Sequence, residues 1–127
     1  MPDDADSSGR EWGYWVKSYR KYRNIKAVVD GIHFDSRKEA ARYKELVLLE
    51  KAGNIVSLRL QPRYKIVIGG VAVKYPSGRQ MVYIADFDYI HPATSEIVIE
   101  DCKGFRTNVY KIKQALMLAM GFEIIEI

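Results

Sequence analysis

The chain has 127 residues, 48% hydrophobic and 28% charged, which suits one soluble domain with its own core. No apolar run approaches the roughly 18 residues of a membrane span, and the polar start MPDDADSSGR does not read as a signal peptide. The single cysteine, Cys102, excludes an intrachain disulfide and fits a reducing cytoplasm. The net charge of +4 hides a polarity: residues 1–11 hold four acids (Asp3, Asp4, Asp6, Glu11) and one base (Arg10). Of 20 Lys+Arg and 16 Asp+Glu, the remainder therefore keeps 19 against 12. An excess of that size suits a polyanion, because each Lys or Arg placed on a phosphate releases counterions.

Residues 1–10 are expected to form a disordered acidic tail. Residues 11–26, EWGYWVKSYRKYRNIK, form a basic aromatic arm in which Trp and Tyr alternate with Lys17, Arg20, Lys21, Arg23 and Lys26. Such a mixture suits stacking on bases and pairing with phosphates; rings packed on the domain, with the charges solvated, is the plainer alternative. Residues 27–127 form the domain proper. Asp30-Gly31 between short apolar runs predicts a hairpin. Asp35 or Ser36 then caps a helix that ends near Ala52, before Gly53. Glu39, Ala40, Tyr43, Leu46, Val47 and Glu50 recur at helical spacing, so Glu39 lies on or near the inward face. Ser36 and Glu39 also spell a capping box, a local role that does not exclude a second one.

From Ile55 the pattern turns to strands. Gln61-Pro62 marks a bend or an edge, Gly69-Gly70 a hairpin turn, and Pro76-Ser77-Gly78 another turn. Two central strands are predicted at about 81–90 and 96–103, joined by His91–Ser95. Thr107 or Asn108 opens a second helix that stops at Gly121. Its apolar stripe is read as Val109, Ile112, Leu116, Ala119 and Met120, and its polar positions as Lys111, Lys113 and Gln114. FEIIEI ends the chain as a short strand. The order is that of an α/β domain, a mixed sheet with helices packed on it.

The two central strands carry acids where a core strand should have none. Val82, Ile84, Asp86 and Asp88 share one face of the first, and Ile97, Ile99, Asp101 and Lys103 one face of the second. Pairing Asp86 with Asp101 gathers the acids and Lys103; a slip to Glu100 sends Lys103 behind the sheet. Asp86 and Asp101, with the Cys102 backbone carbonyl, offer oxygen ligands for a hard divalent cation, and Glu39 can join if its helix packs over the strand ends. Lys103 would then steady developing negative charge. Singly, each group has a plainer use: Asp86 held by backbone amides, Asp101 ion-paired with Lys103, Asp88 a solvated carboxylate. His33 and His91 stand alone, and Cys102 reads as a small buried hydrophobe.

Glu39 on a helix, Ala85-Asp86 on a strand and Asp101-Cys102-Lys103 on the next together resemble the PD-(D/E)xK nuclease superfamily. KYRNIKAVVDGIHFDSRKEAARYKELVLLEKAG, LQPRYKI, YIADFDY and EDCKG are similar to small phage and prophage proteins of that superfamily, over about residues 21–127. Holliday junction resolvases share its compact plan. The resemblance implies a restriction-endonuclease-like αβββαβ core and Mg²⁺-dependent cleavage of DNA, with Mn²⁺ as substitute, often by a homodimer. It implies a setting in the cytoplasm of a bacterial host, in phage recombination, replication or packaging. Glu39, Asp86 and Asp101 would hold the metal and Lys103 would be the catalytic lysine. Ala85 stands where the pattern has proline, and Asp101 where glutamate is common. Arg20, Lys21, Arg23, Lys26, Arg106, Lys111 and Lys113 are the expected DNA contacts. The alternative is a nucleic-acid-binding module that keeps the fold without catalysis.

Overall fold

The computed structural model describes residues 26–102 and 106–127. The expected acidic tail, the aromatic arm up to residue 25 and Lys103 lie outside the described residues. The chain separates into two units, divided between Arg37 and Lys38. In the first, β1 (Ala27–Val29) and β2 (Ile32–Phe34) pair antiparallel, Val28 opposite His33. Asp30 and Gly31 between them both have positive φ, 53° and 77°, as a two-residue type I′ turn demands.

The second unit takes in nearly all of α1 (Arg37–Lys51), which buries Glu39, Ala40, Tyr43 and Leu46 as the spacing predicts. Glu50 of that row is exposed and accepts a bond from the Leu58 amide at 3.0 Å. The helix ends where expected. Gly53, at φ 82°, lets its own amide reach the Glu50 carbonyl (3.0 Å) and the Asn54 amide reach that of Leu49 (2.9 Å), a Schellman motif.

The main sheet has four strands, β3 (Val56–Leu60), β8 (Phe87–His91), β9 (Glu96–Asp101) and β10 (Ile124–Glu126), in the order β10-β9-β8-β3. The β9–β10 pair is parallel and the others antiparallel, so the sheet is mixed. Between β3 and β8 in sequence lie β4 (Arg63–Lys65), β5 (Val67–Ile68), β6 (Val71–Ala72) and β7 (Val82–Ile84), which pair as β4–β7 and β5–β6. The helices and main-sheet strands follow one another as α, β, β, β, α, β, with α2 (Asn108–Ala119) ahead of β10. No helix of the described residues is long and apolar enough to cross a membrane.

Two expectations need correction. The strand read over 81–90 is two strands, broken at Ala85-Asp86. Its partner turns at Gln61-Pro62, where Gln61 has φ 49° and Pro62 has no amide hydrogen. The two chains stay joined through the bend by Gln61 N–H to the Asp86 carbonyl (2.9 Å) and Ala85 N–H to that of Pro62 (3.2 Å). The second correction concerns α2. Met117 is its buried residue and Tyr110 is half-buried, whereas Val109, Ile112 and Ala119 of the predicted stripe are exposed. Met117 packs with Ile66, Tyr83, Ala85 and Ile99, and Tyr110 joins them at the rim. The helix is turned so that its tyrosine, rather than its aliphatic row, meets the sheet.

Candidate functional site

The β8–β9 ladder pairs Ile99 with Asp88 and Glu100 with Phe87. Continued by one step, this register would set Asp101 against Asp86. The ladder stops just short of that step, because Asp86 sits in the bend. Side chains take over there. The Asp86 amide donates to Asp101 Oδ1 at 2.9 Å, and the Asp86 carboxylate accepts from the Cys102 amide at 2.7 Å. Each aspartate thus orients the other's end of the strand pair. The strand break that the alternation of residues did not reveal is what lets the Asp86 carboxylate reach across.

Asp101 Oδ2 accepts a second bond, from the Tyr110 hydroxyl at 2.8 Å. Thr107 caps α2 by accepting from the Tyr110 amide (3.0 Å), which fixes that ring at the helix start. Tyr110 also packs on Tyr83, ring centroids 5.9 Å apart. Asp101 is only 6% exposed. Burial pushes its carboxyl up to about 6, while the Tyr110 hydroxyl and the Asp86 amide pull the other way and Glu126 adds to the rise. Burial and the bond to Asp101 likewise raise the Tyr110 phenol.

Two further acids of these strands are buried, and each has a guanidinium. Glu100 takes both arms of Arg42 from α1, at 2.8 and 2.7 Å, and the Tyr89 hydroxyl. Asp88 takes both arms of Arg59 from β3, at 2.9 and 2.5 Å, and the Tyr64 hydroxyl. Asp88 is therefore no solvated strand-end carboxylate: it is 2% exposed and fully engaged. Asp101 has the tyrosine but no ion pair among the described residues. A buried carboxylate in that condition is one that a bound cation would relieve.

Successive strand residues point to opposite faces. Glu100 meets α1 through Arg42, and Asp101 meets α2 through Tyr110. Glu39 belongs to the α1 side. The Cys102 thiol is pushed up to about 12 by burial first, then by the charges of Asp86 and Glu39, so both carboxylates bear on it. A thiol so raised stays protonated and is no nucleophile. Among the described residues no three His, Cys, Asp or Glu side chains stand together as a metal site. Asp86 and Asp101 are brought together; Glu39 approaches from the other face; Lys103 lies outside the described residues.

Of the expected DNA contacts, Arg20, Lys21 and Arg23 lie outside the described residues, and Lys26 and Lys111 are exposed. Arg106 has an internal use, its Nη2 2.6 Å from Glu126 Oε2 and its guanidinium 5.8 Å from the Tyr110 ring centroid. The contact with Glu126 is ionic, off the direction of a hydrogen bond. Tyr110, Arg42 and Arg59 escaped the sequence reading. Their partners lie 9, 58 and 29 positions away, and only strand register and helix rotation bring them in.

The sequence model of DUF1064, a family described as proteins of unknown function, matches residues 19–124. The chain belongs to the DUF1064 family. No curated protein and no solved structure matches it. The matched span takes in Glu39, Asp86, Asp101 and Lys103, so every residue of the candidate site in this DUF1064 chain falls inside the family's own boundaries.

Proposed function

We propose that this chain is a metal-dependent DNA endonuclease of the PD-(D/E)xK type, hydrolysing phosphodiester bonds in branched or duplex DNA. One observation carries the reading. Asp101 is the buried strand acid without a guanidinium among the described residues, and it is bonded to the residue that presents the second carboxylate, Asp86. Two carboxylates of this kind fit a hard divalent ion, Mg²⁺ or Mn²⁺, with Glu39 and the Cys102 carbonyl as further oxygen donors. When bound, such an ion neutralises phosphate charge and lowers the pKa of a coordinated water.

The chain's own residues do the rest. The Tyr110 hydroxyl and the Asp86 amide hold the Asp101 carboxylate in one orientation, and the Cys102 amide does the same for Asp86. Lys103 follows two positions after Asp101 and would place an ammonium beside the developing negative charge. A homodimer acting on both strands, within a phage-infected or lysogenic bacterial cytoplasm, completes the proposal.

A second reading, a DNA-binding module without catalysis, draws on the separation of Glu39 from Asp101 by the sheet. Incubation with Mn²⁺ and a panel of four-way, flap, nicked and linear DNA decides between them. Cleavage that is lost in Lys103→Ala supports the nuclease; binding to these substrates with none ever cut supports the module.

A further inference from the structure

The chain's 16 acids are unevenly spread. From Gln61 to Ala85 there is no Asp or Glu, and from Cys102 to Phe122 there is again none. Each stretch carries four Lys+Arg. The first holds the small hairpins β4–β7, the second holds α2, and the two pack together through Ile66, Tyr83 and Met117. The fold thus joins the two acid-free stretches.

Where they join, two cations converge on one ring. The Arg79 guanidinium lies 5.3 Å from the Tyr75 ring centroid, and the Lys113 ammonium lies 5.7 Å from it. Tyr75 and Arg79 are fixed across a tight turn, the Tyr75 amide donating to the Arg79 carbonyl at 2.9 Å and the Gly78 amide to the Tyr75 carbonyl at 2.8 Å. Neither Arg79 nor Lys113 has a carboxylate partner among the described residues. Like charges on one ring repel, and a shared anion between them removes the penalty. Lys113 comes three residues after Tyr110, so the two side chains are neighbours on the same face of α2. Tyr110 holds Asp101. The clamp therefore adjoins the carboxylate pair along α2.

We propose that Tyr75, Arg79 and Lys113 form a clamp for the phosphodiester backbone of DNA, seating the strand beside Asp86 and Asp101. This rests on the nuclease reading for its substrate and on the cation pair for its location. Arg79 supplies a planar fork for phosphate oxygens, Lys113 a point charge, and the Tyr75 ring holds both in place.

The test is binding of a fluorescein-labelled duplex by fluorescence anisotropy in EDTA, across a potassium chloride series. Arg79→Gln/Lys113→Gln keeps most of the side-chain bulk and removes both charges. Its log K against log salt should be less steep by about 2, near 0.9 for each phosphate released, with affinity at moderate salt down about tenfold or more. Lys44→Gln, at an exposed cation of α1, should leave the slope closer to the wild type. An unchanged slope in the double variant, with normal melting, overturns the clamp. So does an equal loss in Lys44→Gln, which would mean diffuse attraction to the whole surface. Cleavage is read separately: a steep slope lost in the double variant of a protein that never cuts DNA keeps the clamp and discards the nuclease. Cutting with an unaltered slope does the reverse.

Discussion

The amide of Asp86 donates to the carboxylate of Asp101, and this bond stands where the β8–β9 ladder gives out. The two carboxylates are held by different neighbours, Asp86 by the Cys102 amide and Asp101 by Tyr110. Removing the charge of either should therefore damage the chemistry without dismantling the strands. Asp101→Asn and Asp86→Asn are expected to lose cleavage by about a hundredfold or more, close to 3 kcal/mol of transition-state stabilisation. Binding of DNA should persist in both. Single-turnover cleavage in Mn²⁺, run beside anisotropy in EDTA, checks both halves.

The raised carboxyl of Asp101 makes stability depend on pH in a defined direction. Its folded value is about 6 against 3.8 for the free group, so between those values the folded state holds a proton that the unfolded state has released. Unfolding free energy must then fall as pH rises from about 4 to 6, and the penalty stays in full above that window. Its size is on the order of 2–3 kcal/mol. Asp101→Asn should consequently melt higher than the wild type at pH 7 in EDTA, with the advantage shrinking toward pH 4. Mn²⁺ should raise the melting temperature of the wild type and not of the variant. Thermal melts at several pH values read this, and a wild type that gains stability between pH 4 and 6 relative to the variant would contradict it.

Tyr110 lowers the Asp101 carboxyl by donating to it. Tyr110→Phe removes that donor and keeps the ring on Tyr83. The carboxyl should rise further, so the acid limb of the cleavage pH profile should move to higher pH. At saturating metal the maximal rate should recover most of the way at alkaline pH, because the phenol orients Asp101 and does not touch the phosphate. A pH–rate profile with an unmoved acid limb would give Tyr110 a packing role alone.

Local features were readable in the order of residues because their causes are local. The Asp30-Gly31 turn, the end of α1 at Gly53 and the bend at Gln61-Pro62 each follow from the conformational freedom of one or two residues. The acids Asp86 and Asp101 stood out because a strand interior rarely tolerates them. The rotation of α2 was not readable: Val109 and Ile112 outscore Tyr110 in hydrophobicity, yet Tyr110 has a buried partner in Asp101 and they have none. Asp88 and Glu100 were passed over for a similar reason. Their burial depends on Arg59 and Arg42, which reach them from β3 and α1 across long stretches of chain.

Those two acid–arginine pairs differ in what surrounds the cation, and this gives the last expectation. The Arg42 side chain is 24% exposed, while that of Arg59 is 59% exposed; the two acids are equally buried. Arg42→Ala leaves Glu100 charged and enclosed, with the Tyr89 hydroxyl as its remaining donor, whereas Arg59→Ala opens a path for water to Asp88. Loss of one partner of a buried pair costs about 3–5 kcal/mol, and water admitted to the site offsets part of that. Arg42→Ala should therefore be the more destabilising by urea denaturation, by about 1–2 kcal/mol. Glu100→Gln introduced into Arg42→Ala should restore part of the loss, since the enclosed charge is then gone. Equal effects of the two arginine changes would mean that both acids find water with the same ease, and that α1 does not seal the Glu100 side of the sheet.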